Sequence, residues 1–234
     1  MLGRAHLIAA AAVLAVALAG WAQLASSPSP GVHPISGRPY ANVMGYQGAD
    51  WLDREQRDIE EAPDAALDAL ALAPGLVVAD VGAGSGYMTV RMARRVAPGG
   101  RVYATDVQPE MIALLNRRLA EEKVTNVTVV LGEVANPKLP AGVLDLELLV
   151  DVYHEFSEPQ AMLRGLRNAL KPGGRLVLLE YRKEDPLIPI LELHKMSVAV
   201  ARQEVEAEGF ALTQVDERLP RQHILVFTKT DAGR

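Results

Sequence analysis

The chain has 234 residues, 49% of them hydrophobic, 23% charged and 5% aromatic, which excludes a disordered, collagen-like or coiled-coil protein. Because cysteine is absent, disulfide bonds, thiolate metal sites and a cysteine nucleophile are excluded as well. A net charge of −5 leaves no basic excess, so no nucleic-acid partner is expected.

The N-terminal residues have the pattern of a targeting segment. Arg4 and the terminal amine precede an uncharged run of about 14 residues, Leu7–Gly20, and small residues suited to cleavage follow. Residues 1–22 are therefore predicted to be a signal peptide, with a membrane anchor or a buried alanine-rich helix as alternatives. The Ser- and Pro-rich stretch that comes next predicts a linker over residues 23–39.

The rest of the chain alternates between strands and helices. Residues 40–74 are predicted to be an N-terminal helical extension, with helices over Trp51–Glu61 and Asp64–Leu72, and residues 75–230 the main domain. Short apolar runs predict strands over Leu76–Val81, Arg101–Thr105, Val127–Leu131, Leu144–Val150, Arg175–Glu180, Leu212–Glu217 and His223–Thr228. Helical spacing predicts helices over Tyr87–Val96, Pro109–Glu122, Glu158–Leu170 and Met196–Glu208.

This alternation predicts a doubly wound α/β fold with a seven-stranded, mainly parallel sheet. The last two strands have no helix between them, so one antiparallel edge strand is expected. Helices are expected on both faces of the sheet.

A glycine-rich turn follows the first predicted strand, as Asp80-Val81-Gly82-Ala83-Gly84-Ser85-Gly86. A doubly wound sheet binds its ligand at such a strand end. Glycine at 82 and 84 permits a tight turn and close approach of a ligand, and Gly86 permits close packing of the helix that follows. Asp106, 20 residues after Gly86, ends the second strand, where a carboxylate can accept hydrogen bonds from ribose hydroxyls. These features predict an adenosine-containing ligand.

The spacing of the turn argues against a dinucleotide. Dinucleotide folds use G-x-G-x-x-G, whereas here the third glycine comes one residue early. The carboxylate of Asp80 would repel a diphosphate and would suit a ligand that carries an ammonium group.

Several segments resemble the class I S-adenosylmethionine-dependent methyltransferases in order and spacing. The segments that carry the resemblance are Val78–Gly86, Ala104–Met111, Leu131–Glu133, Asp145–Phe156 and Leu170–Leu176. The likeness extends over about 67–229 and is to the small-molecule branch. It implies a Rossmann-like methyltransferase domain over residues 75–230, S-adenosyl-L-methionine as cofactor and a small-molecule acceptor.

The resemblance also implies roles for individual residues. The turn would wrap the methionine part of the cofactor with Asp80 near its amino group, Asp106 would hold the ribose, and residues after the second and third strands would surround the adenine. The residues so placed against the cofactor are Asp80, Gly82, Ala83, Gly84, Gly86, Asp106, Val107, Met111, Glu133, Val134 and Asp151. Met111 as a core residue and Glu133 as a solvated loop residue are the alternatives.

The fourth strand leads into a cluster of groups that can titrate. His154 has an intrinsic pKa suited to proton transfer, and it is interpreted as a base or an acceptor-orienting group, with Tyr153 and Asp151 assisting. The alternative is that His154 only caps the strand end. Asp151, His154 and Glu155 could ligate a metal, but no further matching ligand is recognised, so no metal is predicted.

Acceptor specificity is expected from two segments outside the sheet. One holds Tyr40, Met44, Tyr46 and Trp51, and the other is an irregular lid over Tyr181–Met196 that contains His194 and Lys195. Simple packing is the alternative for the aromatic residues.

The sequence thus predicts methyl transfer to oxygen, nitrogen or carbon of a small molecule. A nicotinamide-dependent oxidoreductase and a non-enzymatic binding module of the same fold are the alternatives. The N-terminus indicates an exported, periplasmic or anchored protein, whereas a cofactor made in the cytoplasm indicates access from there. The sequence leaves this conflict, the acceptor and the oligomeric state open.

Overall fold

The computed structural model describes residues 31–230 of the chain. The prediction of a signal peptide or anchor over residues 1–22, and that of a linker over 23–30, concern residues outside this range. Among residues 31–230, no helix is both long enough and apolar enough to span a membrane.

One sheet organises the described residues. Its strands are β1 Val77–Val81, β2 Arg101–Asp106, β3 Val127–Leu131, β4 Leu144–Val150, β5 Leu170–Arg182, β6 Lys195–Met196, β7 Phe210–Asp216 and β8 Gln222–Lys229. Seven of them follow the order β3-β2-β1-β4-β5-β8-β7, and the two-residue β6 pairs beside β5. β1 to β5 pair in parallel, whereas β8 runs antiparallel to both β5 and β7. The prediction of a mainly parallel sheet with an antiparallel edge is confirmed, and the reversed strand is β8.

Helices cover both faces of this sheet. They are α1 Ala49–Leu52, α2 Arg57–Glu61, α3 Pro63–Ala69, α4 Tyr87–Val96, α5 Pro109–Glu121, α6 Pro159–Ala169 and α7 Val198–Glu206. The side chains of β5 alternate between the faces, so that Leu176 and Leu178 join the core beneath α6 and α7 and Val177 joins the core beneath α3 and α4. Each fully buried aliphatic side chain of this kind stabilises the fold by about 1.5–3 kcal/mol.

The predicted helix over Trp51–Glu61 is wrong as a single element, because the chain breaks between α1 and α2. Arg54 Nη1 donates to the carbonyl of Trp51, and Arg57 Nη1 donates to the carbonyl of Leu52, each at 2.8 Å. These guanidinium groups satisfy the terminal carbonyls of α1, so the backbone needs no further helical turn there.

Residues 32–39, which the sequence assigned to the linker, pack against the domain. Val32 pairs with Pro39 in an isolated antiparallel bridge, and His33 is buried. Arg38 forms an ion pair at 2.9 Å with Glu204, a fully buried residue of α7. A buried carboxylate requires such a partner, which explains why this polar stretch is held in place.

Candidate active site

A cavity of about 530 Å³ lies at the carboxyl ends of the parallel strands. Loops that follow β1, β2, β3 and β4 form one side, with Gly82, Gly84, Asp106, Val107, Glu133, Val134, Asp151 and His154 on the wall. The segment 42–61 and the lid residues Pro189–His194 close the other side. Its volume suits a small organic ligand, and its place is where doubly wound sheets bind their ligands.

Backbone amides of the glycine turn bind the end of β2. Gly82 N donates to the carbonyl of Thr105 at 2.8 Å, and Gly84 N donates to Asp106 Oδ2 at 3.0 Å. Gly82 has a φ of +72°, and a Cβ there would lie 2.6 Å from Val152 Cγ2. Only glycine therefore fits between the turn and the segment that follows β4.

Gly86 has a close neighbour that the sequence did not predict. A Cβ at this residue would lie 2.5 Å from Leu115 Cδ1, on α5. Gly86 therefore permits close packing of α5, the helix after β2, whereas the sequence predicted close packing of α4, the helix directly after the turn. Ala83 is buried against the same helix. In the described part of the chain, Ala83 and Gly86 face α5 on the side of the turn away from the cavity and do not contribute to the cavity wall.

Asp106 is held in a fixed orientation at the cavity wall. Its Oδ2 accepts from Gly84 N, and its Oδ1 accepts from Gln108 N at 2.9 Å. Burial raises the pKa of Asp106, although these backbone donors partly oppose the shift. The carboxylate thus joins the loops after β1 and β2 and presents its remaining acceptor positions near the cavity.

Asp80 lies beneath the turn, and among residues 31–230 it is not part of the cavity wall. Its Oδ2 accepts from Thr89 Oγ1 at 2.5 Å, and complete burial raises its pKa to about 6. The carboxylate faces α4, and its predicted place near the amino group of the cofactor stays a prediction. In this position Asp80 supports the glycine turn through its hydrogen bond to Thr89 of α4.

The residues predicted to surround the adenine do line the cavity together. Met111 is buried, whereas Val107 and Val134 expose apolar surface. The carboxylate of Glu133 is mostly exposed and lies 2.5 Å from Lys138 Nζ. This group forms an apolar pocket with one carboxylate at its rim.

His154 lies in a short turn, Tyr153–Glu155, directly after β4. Its Nδ1 lies 2.5 Å from Glu180 Oε2, and its Nε2 lies 3.0 Å from His194 Nδ1. Burial by itself lowers the pKa of His154, but the Glu180 carboxylate outweighs that effect and raises it. Both ring nitrogens therefore have partners in this arrangement, and the role of His154 as a base or an acceptor-orienting group stays a prediction.

Glu155 and His194 complete this polar end of the cavity. Glu155 Oε1 lies 3.8 Å from His194 Nδ1 and accepts from Met44 N at 3.3 Å. Burial raises the pKa of Glu155 to about 7, whereas burial and the neighbouring His154 lower the pKa of His194. We refer to His154, Glu155 and His194 as the histidine cluster.

The two residues predicted to assist His154 have different surroundings. Asp151 lines the cavity with a φ of +54°, and its Oδ2 accepts from Gln222 Nε2 at 2.7 Å. Its Oδ1 is buried and has no hydrogen-bond partner among the described residues. Tyr153 is fully buried beside Phe156 and Arg38, and within residues 31–230 it does not reach the cavity wall. The tertiary packing thus gives Tyr153 a core position.

A charged group that the sequence did not reveal lies on the opposite wall. Arg57 Nε donates to Glu61 Oε2 at 2.7 Å, and Glu61 Oε1 accepts from Tyr181 Oη at 2.8 Å. Glu180, the partner of His154, was missed as well. A charged residue inside the apolar run Leu176–Tyr181 was the available signal for Glu180, whereas Arg57 and Glu61 occur in a segment that is polar throughout.

Comparison with known proteins agrees with this architecture. Residues 78–174 match the family described as "Methyltransferase domain". A SAM-dependent methyltransferase from Aquifex aeolicus superimposes with a TM-score of 0.74 at 26% identity, covering 80% of this chain and 98% of that one. The ubiquinone/menaquinone biosynthesis C-methyltransferase of Pasteurella multocida is 29% identical over 180 residues, covering 71% of this chain and 65% of the relative.

A 37.1 kDa transposon protein of Streptomyces fradiae is 36% identical over 114 residues, which are 49% of this chain and 32% of that protein. The chain thus spans between about a third and two thirds of the length of these curated relatives. The matched residues 78–174 extend from β1 through the histidine-bearing turn to the start of β5. The family match and the similarity to a solved SAM-dependent methyltransferase therefore support a class I methyltransferase domain in this chain.

Proposed function

We propose that the protein transfers a methyl group from S-adenosylmethionine to a small-molecule acceptor inside the cavity. The observation that carries this proposal is the continuity of one cavity, which runs from the glycine turn and Asp106 to the histidine cluster. Cofactor and acceptor can therefore meet in one site, which the lid residues Pro189–His194 border.

The residues at the turn fit the cofactor. Asp106 is oriented by two backbone amides, so its free acceptor positions can bind hydroxyl groups without reorganisation. Val107 and Met111 offer apolar contacts for a ring. Asp151 Oδ1 is a buried acceptor without a partner among the described residues, and it suits a donor supplied by a ligand. When bound, the cofactor supplies an electrophilic methyl group and a sulfonium leaving group.

The acceptor end favours a mostly apolar molecule with a polar tip. Its walls are mainly apolar, with Trp51, Phe156, Ile190 and Leu191 among them, and the histidine cluster and the Arg57–Glu61 pair on the opposite wall supply polar groups. We infer a hydroxylated aromatic acceptor of the phenol or quinol class. The name of the Pasteurella multocida relative, a C-methyltransferase of quinone biosynthesis, supports this class.

The proposal is tested with the purified full-length chain in two steps. Calorimetry should show that S-adenosylmethionine and S-adenosylhomocysteine bind and that NADH does not. Transfer of a labelled methyl group is then measured across phenols, quinols and amines. Binding without transfer to any acceptor would favour a non-enzymatic module, and binding of NADH alone would favour an oxidoreductase.

A further inference from the structure

We propose that the histidine cluster binds one divalent transition-metal ion at the acceptor end of the cavity. The ligands are His154 Nε2, His194 Nδ1 and a carboxylate oxygen of Glu155. The use of this ion in catalysis rests on the proposed methyl transfer, whereas its binding does not.

The spacing of the three ligand atoms suits a shared ion. All three lie within 4.8 Å of one another, and the two imidazole nitrogens are 3.0 Å apart. With metal–nitrogen distances of about 2.1 Å, this separation corresponds to an angle of about 90° at the metal. Glu155 Oε1 lies 3.8 Å from His194 Nδ1, a separation that two ligand atoms of one ion can have.

The groups behind the ligands have the arrangement that metal sites require. Glu180 Oε2 accepts from His154 Nδ1, which directs the lone pair of Nε2 towards the shared point. Glu180 is itself fixed, because its Oε1 accepts from Tyr153 N at 3.0 Å. Met44 N similarly orients the carboxylate of Glu155. A carboxylate–histidine pair of this kind sets the tautomer of a ligating imidazole.

The ligand types select the class of metal. Two imidazoles and one carboxylate suit Zn²⁺, Fe²⁺, Co²⁺ or Mn²⁺ better than Mg²⁺ or Ca²⁺, which prefer oxygen ligands. Three protein ligands leave coordination positions open, and all three residues line the cavity, so a ligand in the cavity can reach those positions.

A metal ion at this site would activate the hydroxyl group of the acceptor. A metal-bound hydroxyl has a lowered pKa and gives its proton to solvent water. The resulting oxygen anion forms the bond to the methyl carbon while the carbon–sulfur bond breaks, and the cofactor leaves as a neutral thioether. The site therefore points to acceptors that bind through oxygen.

The test is metal binding by the full-length chain after chelator treatment, without cofactor or acceptor. Titration with Co²⁺, followed by visible absorption, and calorimetry with Zn²⁺ should each give one ion per chain. His194→Ala and Glu155→Gln should weaken binding about 100-fold or more, and Glu180→Gln about 10- to 100-fold. Circular dichroism of each variant checks that the fold is intact.

Two control variants separate this site from other histidine and carboxylate groups. Glu192→Gln removes an exposed carboxylate near His194 that pairs with Lys195, and it should bind metal as the parent does. His223 lies between Glu184 and Glu217, away from the cavity, and His223→Gln should also leave binding unchanged.

Absence of binding at millimolar metal would overturn the proposal. So would binding that survives His194→Ala but is lost in His223→Gln. Either outcome would leave the histidine cluster as a hydrogen-bonded relay and would not affect the measurement of cofactor binding.

Discussion

At the scale of single residues, Asp106 connects the two loops that face the predicted cofactor. Asp106→Ala removes the acceptor for Gly84 N and Gln108 N as well as any ligand hydroxyl. Hydrogen bonds to a charged group contribute about 1.5–3 kcal/mol each, so we expect the Kd for S-adenosylhomocysteine to rise about 10- to 100-fold. Calorimetry measures this change. Glu110→Ala, an exposed carboxylate in the first turn of α5, is the matched control, and equal affinity of both variants would contradict the role.

Asp80 gives a prediction about stability against pH. Burial raises its pKa from 3.8 to about 6, so the folded state disfavours the charged form. Below pH 4 the group is protonated in the folded and unfolded states, and burial costs no charge. The folded state loses stability as the pH rises from about 4 to about 6. Asp80→Asn should therefore raise the free energy of unfolding by about 1–3 kcal/mol at pH 7.5 and by almost nothing at pH 4. Urea denaturation at both pH values measures it.

The exposed Asp64→Asn is the control for the Asp80 variant, since its stability should change little at either pH. A gain at pH 7.5 that persists at pH 4 would show that the charge of Asp80 is not the cause.

At the scale of elements, β4 contains a carboxylate in the middle of the sheet. Glu147 is fully buried, and neither of its side-chain oxygens has a hydrogen-bond partner among residues 31–230. An apolar residue of similar volume removes this desolvation penalty, so Glu147→Leu should stabilise the protein by about 1–3 kcal/mol. Chemical denaturation of this variant and of Glu147→Gln, which keeps a polar group, measures the effect. A Leu variant less stable than the Gln variant would indicate a hidden partner.

The turn between β1 and α4 depends on close packing at Gly86. Gly86 and Gly75 have similar backbones, with φ of +86° and +89°, but only at Gly86 would a Cβ collide, with Leu115. Both alanine variants carry the penalty of a positive φ, about 1 kcal/mol, and Gly86→Ala adds overpacking of about 1–3 kcal/mol. Thermal unfolding should therefore give a lower Tm for Gly86→Ala than for Gly75→Ala. Equal Tm values would mean that α5 moves away from the added methyl group without a loss of stability.

At the scale of the whole molecule, the segment 32–41 connects the histidine-bearing turn to α7. Arg38 donates to the carbonyl of His154 at 3.1 Å and pairs with Glu204, while Ala41 N donates to the same carbonyl. Removal of one partner from a buried ion pair costs about 3–5 kcal/mol, because it leaves the other charge unpaired. Arg38→Ala should therefore be strongly destabilised, and Arg38→Ala combined with Glu204→Gln less so. Urea denaturation of both proteins checks this order.

Much of the architecture follows from local patterns in the sequence. Short apolar runs bounded by glycine and proline predicted the parallel strands within a few residues, because strand formation depends on neighbouring side chains. The glycine turn and Asp106 were predictable because both stand directly at strand ends, which parallel pairing brings to one edge of the sheet. The break between α1 and α2 was not, because no glycine or proline marks it and side-chain bonds from Arg54 and Arg57 replace helical ones there.

The sequence by itself determined the order of the seven longer strands, the helices from Tyr87 onwards and the glycine turn, since each depends on residues close together in the chain. Only the tertiary structure decided which polar groups meet in the cavity. His154 faces Glu180 and His194, which are 26 and 40 residues away, and Tyr153 turns into the core beside it. Such contacts depend on how loops from different strands close over the sheet, and short-range periodicity carries no information about that closure.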